Sequence, residues 1–339
     1  MSKHIAYIES PLQAFNLIEY LDVKNITLDL LIVNKRSANS ALNHGQIVYL
    51  LKMIRHKTLK TIDVEGYLGK VLDIRKELKS VKSEVSTKKE NVTLIAGEYR
   101  ARVFWMLANK FPKRDIVLLD DGTATLRIKR SNNVTVRDIA KSIFLKSLGM
   151  ANNEREKITF FSVYNIENNI AQKDRIIKHN YQNFKLKLAA LPQGGNKVFI
   201  IGTPLYEAGV TSVDDIELTL KMIDDLKLNK EGVELVYIPH RREREEKIDA
   251  IRQHVEVRRL DFPFEVYPIV MGENVASIAG FYSSLYDNLI KIYDEKIKIT
   301  AYVLDEKVLS PEWVGFVDAI YKNYETYESA DITLIKDKF

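Results

Sequence analysis

Two successive doubly wound α/β domains are what this 339-residue chain predicts. Three observations carry that expectation. Short apolar runs alternate with amphipathic stretches, the pattern of parallel strands joined by crossover helices. A turn-rich segment, Leu191-Pro192-Gln193-Gly194-Gly195-Asn196, interrupts the alternation, which then restarts. The composition is 46% hydrophobic and 29% charged, as in globular domains with sizeable cores. The boundary is accordingly placed between residues 190 and 191, giving domains 1–190 and 191–339.

In the first domain, Ile5–Glu9 reads as a strand. Ser10 then offers an N-cap and Pro11 a first helical position for a helix through Ala14–Leu21. Ile26–Val33 is a continuous apolar run of the kind buried in parallel sheets. Asn39–Met53 and Tyr67–Lys82 have helical spacing, with a weaker strand at Leu59–Val64 between them. Asn91–Ala96 is a strand ending in Gly97-Glu98-Tyr99-Arg100. A helix at Ala101–Asn109 leads into the strand Asp115–Leu119. Arg137–Met150 is amphipathic and basic, Ile158–Tyr164 is a strand, and Lys173–Ala190 is expected to be helical.

In the second domain, Lys197–Gly202, Val233–Ile238, Glu256–Leu260, Ile297–Val303 and Ile332–Ile335 are the expected strands, and Ser277–Gly280 leads into Phe281–Asn288. Ser212–Leu228 is an expected helix, with Ser212 as cap and Asp214 and Asp215 suited to its positive end. Glu243–Gln253 and Pro311–Tyr324 are the other expected helices.

Composition narrows the function. There is no cysteine, so disulfides, thiolate catalysis and cysteine-held metal are excluded, and a cytoplasmic location fits. No apolar run of about 18 residues is present, so no membrane-spanning helix is expected. The net charge of +5 permits an anionic ligand or membrane surface without demanding either. Arg137–Met150 is a candidate for peripheral contact with an anionic inner membrane, packing on its own domain being the alternative. No nucleic-acid partner is expected. The histidines show no metal-ligand spacing. No GxGxxG, Walker A or GxSxG motif occurs, which removes the usual dinucleotide, P-loop and hydrolase signatures.

The candidate chemistry lies at strand ends. Val117-Leu118-Leu119 runs into Asp120-Asp121-Gly122, followed by Thr123 and Thr125. In an open α/β sheet, ligands bind beyond the carboxyl ends of strands, so one of these carboxylates is a candidate general base. A plain Asp-Gly turn is the alternative. Tyr237-Ile238-Pro239-His240-Arg241-Arg242 ends another strand, where His240 could donate to a phosphate oxygen and the arginines add positive charge; a solvated turn is the alternative. Ser283 and Ser284 could open a helix and bind an anion there, or serve only as its cap. Gly202-Thr203-Pro204-Leu205 is a strand-end turn. Glu265 is an isolated acid among apolar residues that could hold a ribose diol, or a surface carboxylate on an edge strand.

In order, these stretches resemble the bacterial sialyltransferases and polysialyltransferases of the GT-B type, whose two Rossmann-like domains face each other across a cleft. The resemblance rests on Asp120-Asp121-Gly122 in the first domain and on His240, Glu265 and Ser283-Ser284 in the second. Ser10-Pro11-Leu12-Gln13 and Gly202-Thr203-Pro204-Leu205 are also similar to stretches of that group. One position departs from the pattern: Arg241, not proline, follows His240, which points toward a branch using another nonulosonic acid, such as pseudaminic or legionaminic acid. The resemblance implies a CMP-activated donor, a glycan acceptor in capsule or lipooligosaccharide, and no metal or other cofactor. It implies that Asp120 takes the acceptor proton, with Asp121 orienting it. His240, Ser283 and Ser284 would stabilise departing CMP. Gly202, Thr203 and Glu265 would complete the donor site, with Ser10, Gln13, Arg100 and Gly122 on the acceptor side. The rivals are a nucleotide-diphosphate-sugar transferase of the same architecture and a non-catalytic carbohydrate-binding protein.

Overall fold

Largely apolar runs such as Leu28–Asn34 and Val92–Ala96 become strands because a parallel sheet covered on both faces buries nearly all of their side chains, Asp29 and Thr93 alone among them staying half-buried. The computed structural model describes residues 2–338 apart from 37–40, 67, 85–90, 123, 131–142, 151–155, 193, 231, 294–296, 328–330 and 337. The chain divides into two units, Met1–Asn183 and Phe184–Phe339. This division falls at the start of a helix, ahead of the turn-rich segment at 191–196.

The first unit contains strands β1 (Lys3–Ile8), β2 (Leu28–Asn34), β3 (His56–Ile62), β4 (Val92–Ala96), β5 (Arg114–Leu119), β6 (Ile158–Ser162) and β7 (Arg175–Lys178), with helices α1 (Pro11–Lys24), α2 (Ala41–Leu51), α3 (Val71–Glu84) and α4 (Arg102–Ala108). The sheet order is β3-β2-β1-β4-β5-β6-β7, and every neighbouring pair is parallel. Tyr7, Ile32, Leu94, Phe104, Trp105 and Phe160 belong to one buried cluster in this unit; burial of each such side chain contributes on the order of 1.5–3 kcal/mol. Arg130 and Asp174 form a buried ion pair, Nε to Oδ2 at 2.7 Å, whose carboxylate also accepts from the Ile158 and Ala171 N–H groups.

Helix α5 (Gln182–Ala189) crosses the division. The second unit contains β8 (Lys197–Ile201), β9 (Glu234–Ile238), β10 (Glu256–Val257), β11 (Ser277–Gly280), β12 (Lys298–Tyr302) and β13 (Ile332–Ile335). Its helices are α6 (Ile216–Asn229), α7 (Glu245–Arg252), α8 (Tyr267–Met271), α9 (Ser284–Ile292) and α10 (Val314–Glu325). The sheet order is β10-β9-β8-β11-β12-β13, again all parallel. Each sheet grows outward from its first strand and then reverses, so each has a switch point, between β1 and β4 and between β8 and β11. Ligands of doubly wound sheets bind outside the carboxyl ends at such points.

Two expectations need correction. Lys173–Ala190 is not one helix: Arg175–Lys178 forms β7, and only Gln182–Ala189 is helical. The two consecutive β-branched residues Ile176 and Ile177 pair with Phe160 and Phe161 of β6, and Tyr181, at φ 57°, breaks the chain between strand and helix. The helix expected from Ser212 begins at Ile216, without a side-chain cap from Ser212. The Asp214 carboxylate accepts the Ile216 N–H at 2.9 Å, whereas Asp215 turns inward.

Much of Arg137–Met150 lies outside the described residues, as does Thr123. Residues 143–147 are helical, with Leu145 and Leu148 packed on the first unit's core and Ile143 and Phe144 exposed. Among the described residues no helix is long and apolar enough to cross a membrane.

Candidate functional site

At the first switch point, Ser10 has extended backbone and its Oγ accepts the Gln13 N–H at 3.2 Å, capping α1 as expected, with Pro11 at the first helical turn. The same hydroxyl donates to Asp121 Oδ1 at 3.3 Å. Gln13 Oε1 accepts the Glu9 N–H at 3.0 Å. Gly97 follows β4, where a Cβ would come within 2.2 Å of Gln13 Cγ, so the close packing of this turn excludes any side chain. Gly122 adopts φ 61°, the left-handed turn foreseen after the acid pair. Arg100 forks onto Glu98 with Nε to Oε1 and Nη2 to Oε2 both at 3.1 Å. Ser10, Gln13, Asp121 and Gly122 therefore gather at the carboxyl ends of interior strands of the sheet.

The two aspartates have different surroundings. Asp120 is 1% exposed. Its Oδ1 accepts from Ser162 Oγ at 2.7 Å and its Oδ2 from the Val163 N–H at 2.8 Å, while Asn16 Nδ2 donates to its carbonyl at 2.9 Å. These bonds tie the end of β5 to β6 and α1. His179 Nε2 stands 3.9 Å from Asp120 Oδ2 with its ring stacked on Phe161, and burial pushes that imidazole down to about 3. Asp121 is only partly buried. Burial first, then the negative charges of Glu98 and Glu9, push its carboxyl up to about 6, against hydrogen bonds from Gln13 and Ser10. An acid titrating just below neutrality is ionised at pH 7 yet basic enough to take a proton.

One strand away from the second switch point, the turn after β9 carries His240. Its Nδ1 accepts the Arg242 N–H at 3.1 Å, which leaves the ring proton on Nε2. Burial, helped by Arg241, Arg242 and Lys247, lowers this imidazole to about 4. It is therefore a neutral N–H donor at pH 7. Gly202 admits the turn: a Cβ there would lie 2.8 Å from the His240 nitrogen and 2.3 Å from Glu243 Oε2.

Beneath the turn lies a charge network that sequence reading missed. Lys247 Nζ, 1% exposed, lies 2.7 Å from Asp215 Oδ2, 2.7 Å from Glu243 Oε1 and 3.0 Å from the Thr203 carbonyl, so all three ammonium hydrogens have acceptors. Glu243 also accepts from Tyr237 Oη and from the His240 N–H, each at 2.7 Å. The available signal was the Glu243–Lys247 spacing of four next to His240, which reads equally well as a solvated helix pair.

Ser283 caps α9, its Oγ accepting the Leu285 N–H at 3.2 Å, and Ser284 stands exposed at the first helical position. Tyr324 Oη fixes this corner by accepting the Ser283 N–H at 3.0 Å and donating to its carbonyl at 2.9 Å. Thr203 Oγ1 reaches the Tyr282 carbonyl at 3.4 Å, joining the ends of β8 and β11. Glu265 lies on a short 3-10 turn, Phe264–Val266, not on an edge strand. Asn288, one turn along α9 from Ser284, donates to its Oε1 at 3.1 Å, and burial raises its carboxyl. Gly202, Thr203 and His240 are thus joined through the Glu243–Lys247 network, and Glu265, Ser283 and Ser284 through α9. Among the described residues no three His, Asp or Glu side chains form a group able to hold a metal.

The chain is similar to a solved UDP-GlcNAc 2-epimerase from Neisseria meningitidis bound to UDP-GlcNAc, at a TM-score of 0.51 and 13% identity over 97% of this chain and 93% of that one. It is also similar to UGT89C1 of Arabidopsis thaliana complexed with UDP-L-rhamnose, at 0.49 and 10% identity over 98% and 85%. A third likeness is to the calicheamicin glycosyltransferase CalG4, at 0.48 and 8% over 98% and 86%. At these identities the likeness is one of fold, and the fold is the two-domain α/β GT-B type. No protein-family model matches the sequence, and no curated protein matches it.

Proposed function

We propose that this protein is a nucleotide-sugar-dependent glycosyltransferase. The observation that carries the reading is His240, a neutral N–H donor at the carboxyl end of β9, beside the turn at Gly202 and Thr203. A departing nucleotide phosphate gains negative charge as its bond to the sugar breaks, and preformed donors stabilise that charge. Ser283 and Ser284 at the start of α9 add hydroxyl and backbone donors. Glu265, on the same helix's flank, suits a ribose diol.

In the first unit the acceptor hydroxyl would be activated by Asp121, with Asp120 acting as the bond-saturated partner that holds the end of β5. The hydroxyl oxygen attacks the anomeric carbon, its proton passes to the Asp121 carboxylate, and the carbon–oxygen bond to phosphate breaks with its electron pair leaving on the nucleotide. One such displacement inverts the anomeric centre.

For the donor we favour a CMP-activated nonulosonic acid, sialic acid or a relative such as pseudaminic acid, transferred to a bacterial surface glycan. Support comes from the ordered set Asp120-Asp121-Gly122, His240, Glu265 and Ser283-Ser284. One phosphate leaves with CMP, so a metal is not required for charge balance. A UDP-sugar donor is the second reading, favoured by the likeness to a protein bound to UDP-GlcNAc. Donor hydrolysis measured with CMP- and UDP-sugars, with and without EDTA, separates the two: turnover of CMP-sugars unaffected by EDTA is expected, and turnover of UDP-sugars alone would replace the first reading by the second. His240→Ala is expected to lower the transfer rate by about 10²-fold or more, the usual contribution of an aligned donor. An unchanged rate and nucleotide affinity would remove His240 from the site.

A further inference from the structure

We propose that Glu243 is a positioning residue: clamped by Lys247 and Tyr237, it fixes the turn that carries His240 so that the imidazole presents its Nε2–H to the phosphate of the donor. The inference rests on the nucleotide-sugar reading for the phosphate, and on geometry alone for the clamp. Glu243 Oε1 is held by Lys247 Nζ and Tyr237 Oη, each at 2.7 Å, and its side chain is fully buried. Oε2 accepts the His240 backbone N–H at 2.7 Å, and the Glu243 N–H returns to the His240 carbonyl at 3.0 Å. These two bonds close the turn from both ends. Within it the Arg242 N–H points at His240 Nδ1 at 3.1 Å. A backbone donor aimed at Nδ1 permits only the tautomer with its proton on Nε2 and repels the doubly protonated ring. Lys247 carries the same anchorage to the neighbouring strand end through the Thr203 carbonyl and Asp215. A chain of short bonds therefore runs from a buried ammonium to one ring nitrogen, and it also seats Gly202, which leaves no room for a side chain against Glu243.

The charged groups around the imidazole are Arg241, Arg242 and Lys247, with Glu243 as the acid bonded to its backbone. Removing a nearby carboxylate would by Coulomb's law lower a histidine's pKa. Release of the turn does the opposite, because it lets water reach the ring. The two effects have opposite signs, so titration separates them.

The test uses the full chain labelled with 15N-histidine, the His240 signal being assigned by its absence in His240→Ala. In wild type the ring is expected to remain neutral, with its proton on Nε2, down to below pH 5. In Glu243→Ala its pKa is expected to rise by about one unit toward the ordinary histidine value of about 6.5. An unchanged or lowered pKa in the folded variant overturns the proposal. Glu243→Gln keeps the volume and one acceptor, and is read in the same way if the alanine variant does not fold. With a donor in hand, Glu243→Ala is expected to lower kcat by about 10²-fold with little change in KM, as for a displaced reacting group. In a His240→Ala background it is expected to cost nothing further. An equal loss in both backgrounds would show that Glu243 does not act through His240. Failure of every nucleotide sugar to turn over would sink the functional reading, while the titration would still decide the clamp.

Discussion

Asp121→Asn lowers glycosyl transfer by about 10²- to 10⁴-fold, the range contributed by a positioned general base, and leaves nucleotide affinity unchanged. The expectation follows from the contrast between neighbours. Asp120 spends both carboxylate oxygens on Ser162 and Val163, whereas Asp121 is partly exposed beside Ser10 and titrates near 6. The same group leaves a signature in stability. The folded pKa lies above the ordinary carboxyl value because burial and the Glu98 and Glu9 charges disfavour the ion. Between about pH 4 and 6 the folded chain binds more protons at this site than the unfolded chain, so stability falls as pH rises through that window. Asparagine removes the penalty. Asp121→Asn should therefore resist urea better than wild type at pH 8 and lose that advantage by pH 4. The wild-type kcat/KM should climb with pH around 6, and that limb should be absent from the variant. Asp120→Asn should behave in the opposite way, losing stability at pH 8 because it weakens the ties among β5, β6 and α1. Full activity in Asp121→Asn would return the role of base to Asp120.

Lys247→Met destabilises the protein by about 3–5 kcal/mol, read as a lower urea midpoint with unchanged m-value. The lysine is 1% exposed and lies between the fully buried carboxylates of Asp215 and Glu243. Methionine fills the stem's volume but leaves two buried anions without their shared cation. Arg244 reaches Asp215 only at 3.4 Å and cannot replace it. The magnitude reflects the uncompensated charges rather than the worth of the ion pair, so Lys247→Met combined with Glu243→Gln should recover part of the loss. Equal stability of Lys247→Met and wild type would mean that the network is solvated and would weaken the clamp on His240 as well.

Alternation of apolar runs and amphipathic stretches was enough to foresee two parallel α/β sheets, because burial on both faces leaves a strand few alternatives to a continuous apolar run. Capping by Ser10, the turn at Gly122 and the strand Ile332–Ile335 were readable for the same local reason. The segment Lys173–Ala190 was misread where periodicity is weak: four residues of an edge strand, charged at both ends, look like part of a basic helix until β6 is present to pair with them. Ser212 was misread because Asp214 supplies the acceptor for the start of α6 from closer by.

For the site, the sequence by itself determined which residue types stand at the carboxyl ends of strands: two aspartates before a glycine, a histidine after a proline, a serine pair before a helix. Their division of labour came only from tertiary structure. Adjacent aspartates differ because Ser162 and Val163, some forty residues onward, saturate one and leave the other beside Ser10 and two further acids. His240 becomes a neutral donor because Glu243 and Arg242 grip its turn while Lys247 anchors Glu243 from below. Hydrogen-bond saturation and desolvation depend on which atoms lie within about 3 Å in space, and chain spacing alone does not encode that distance.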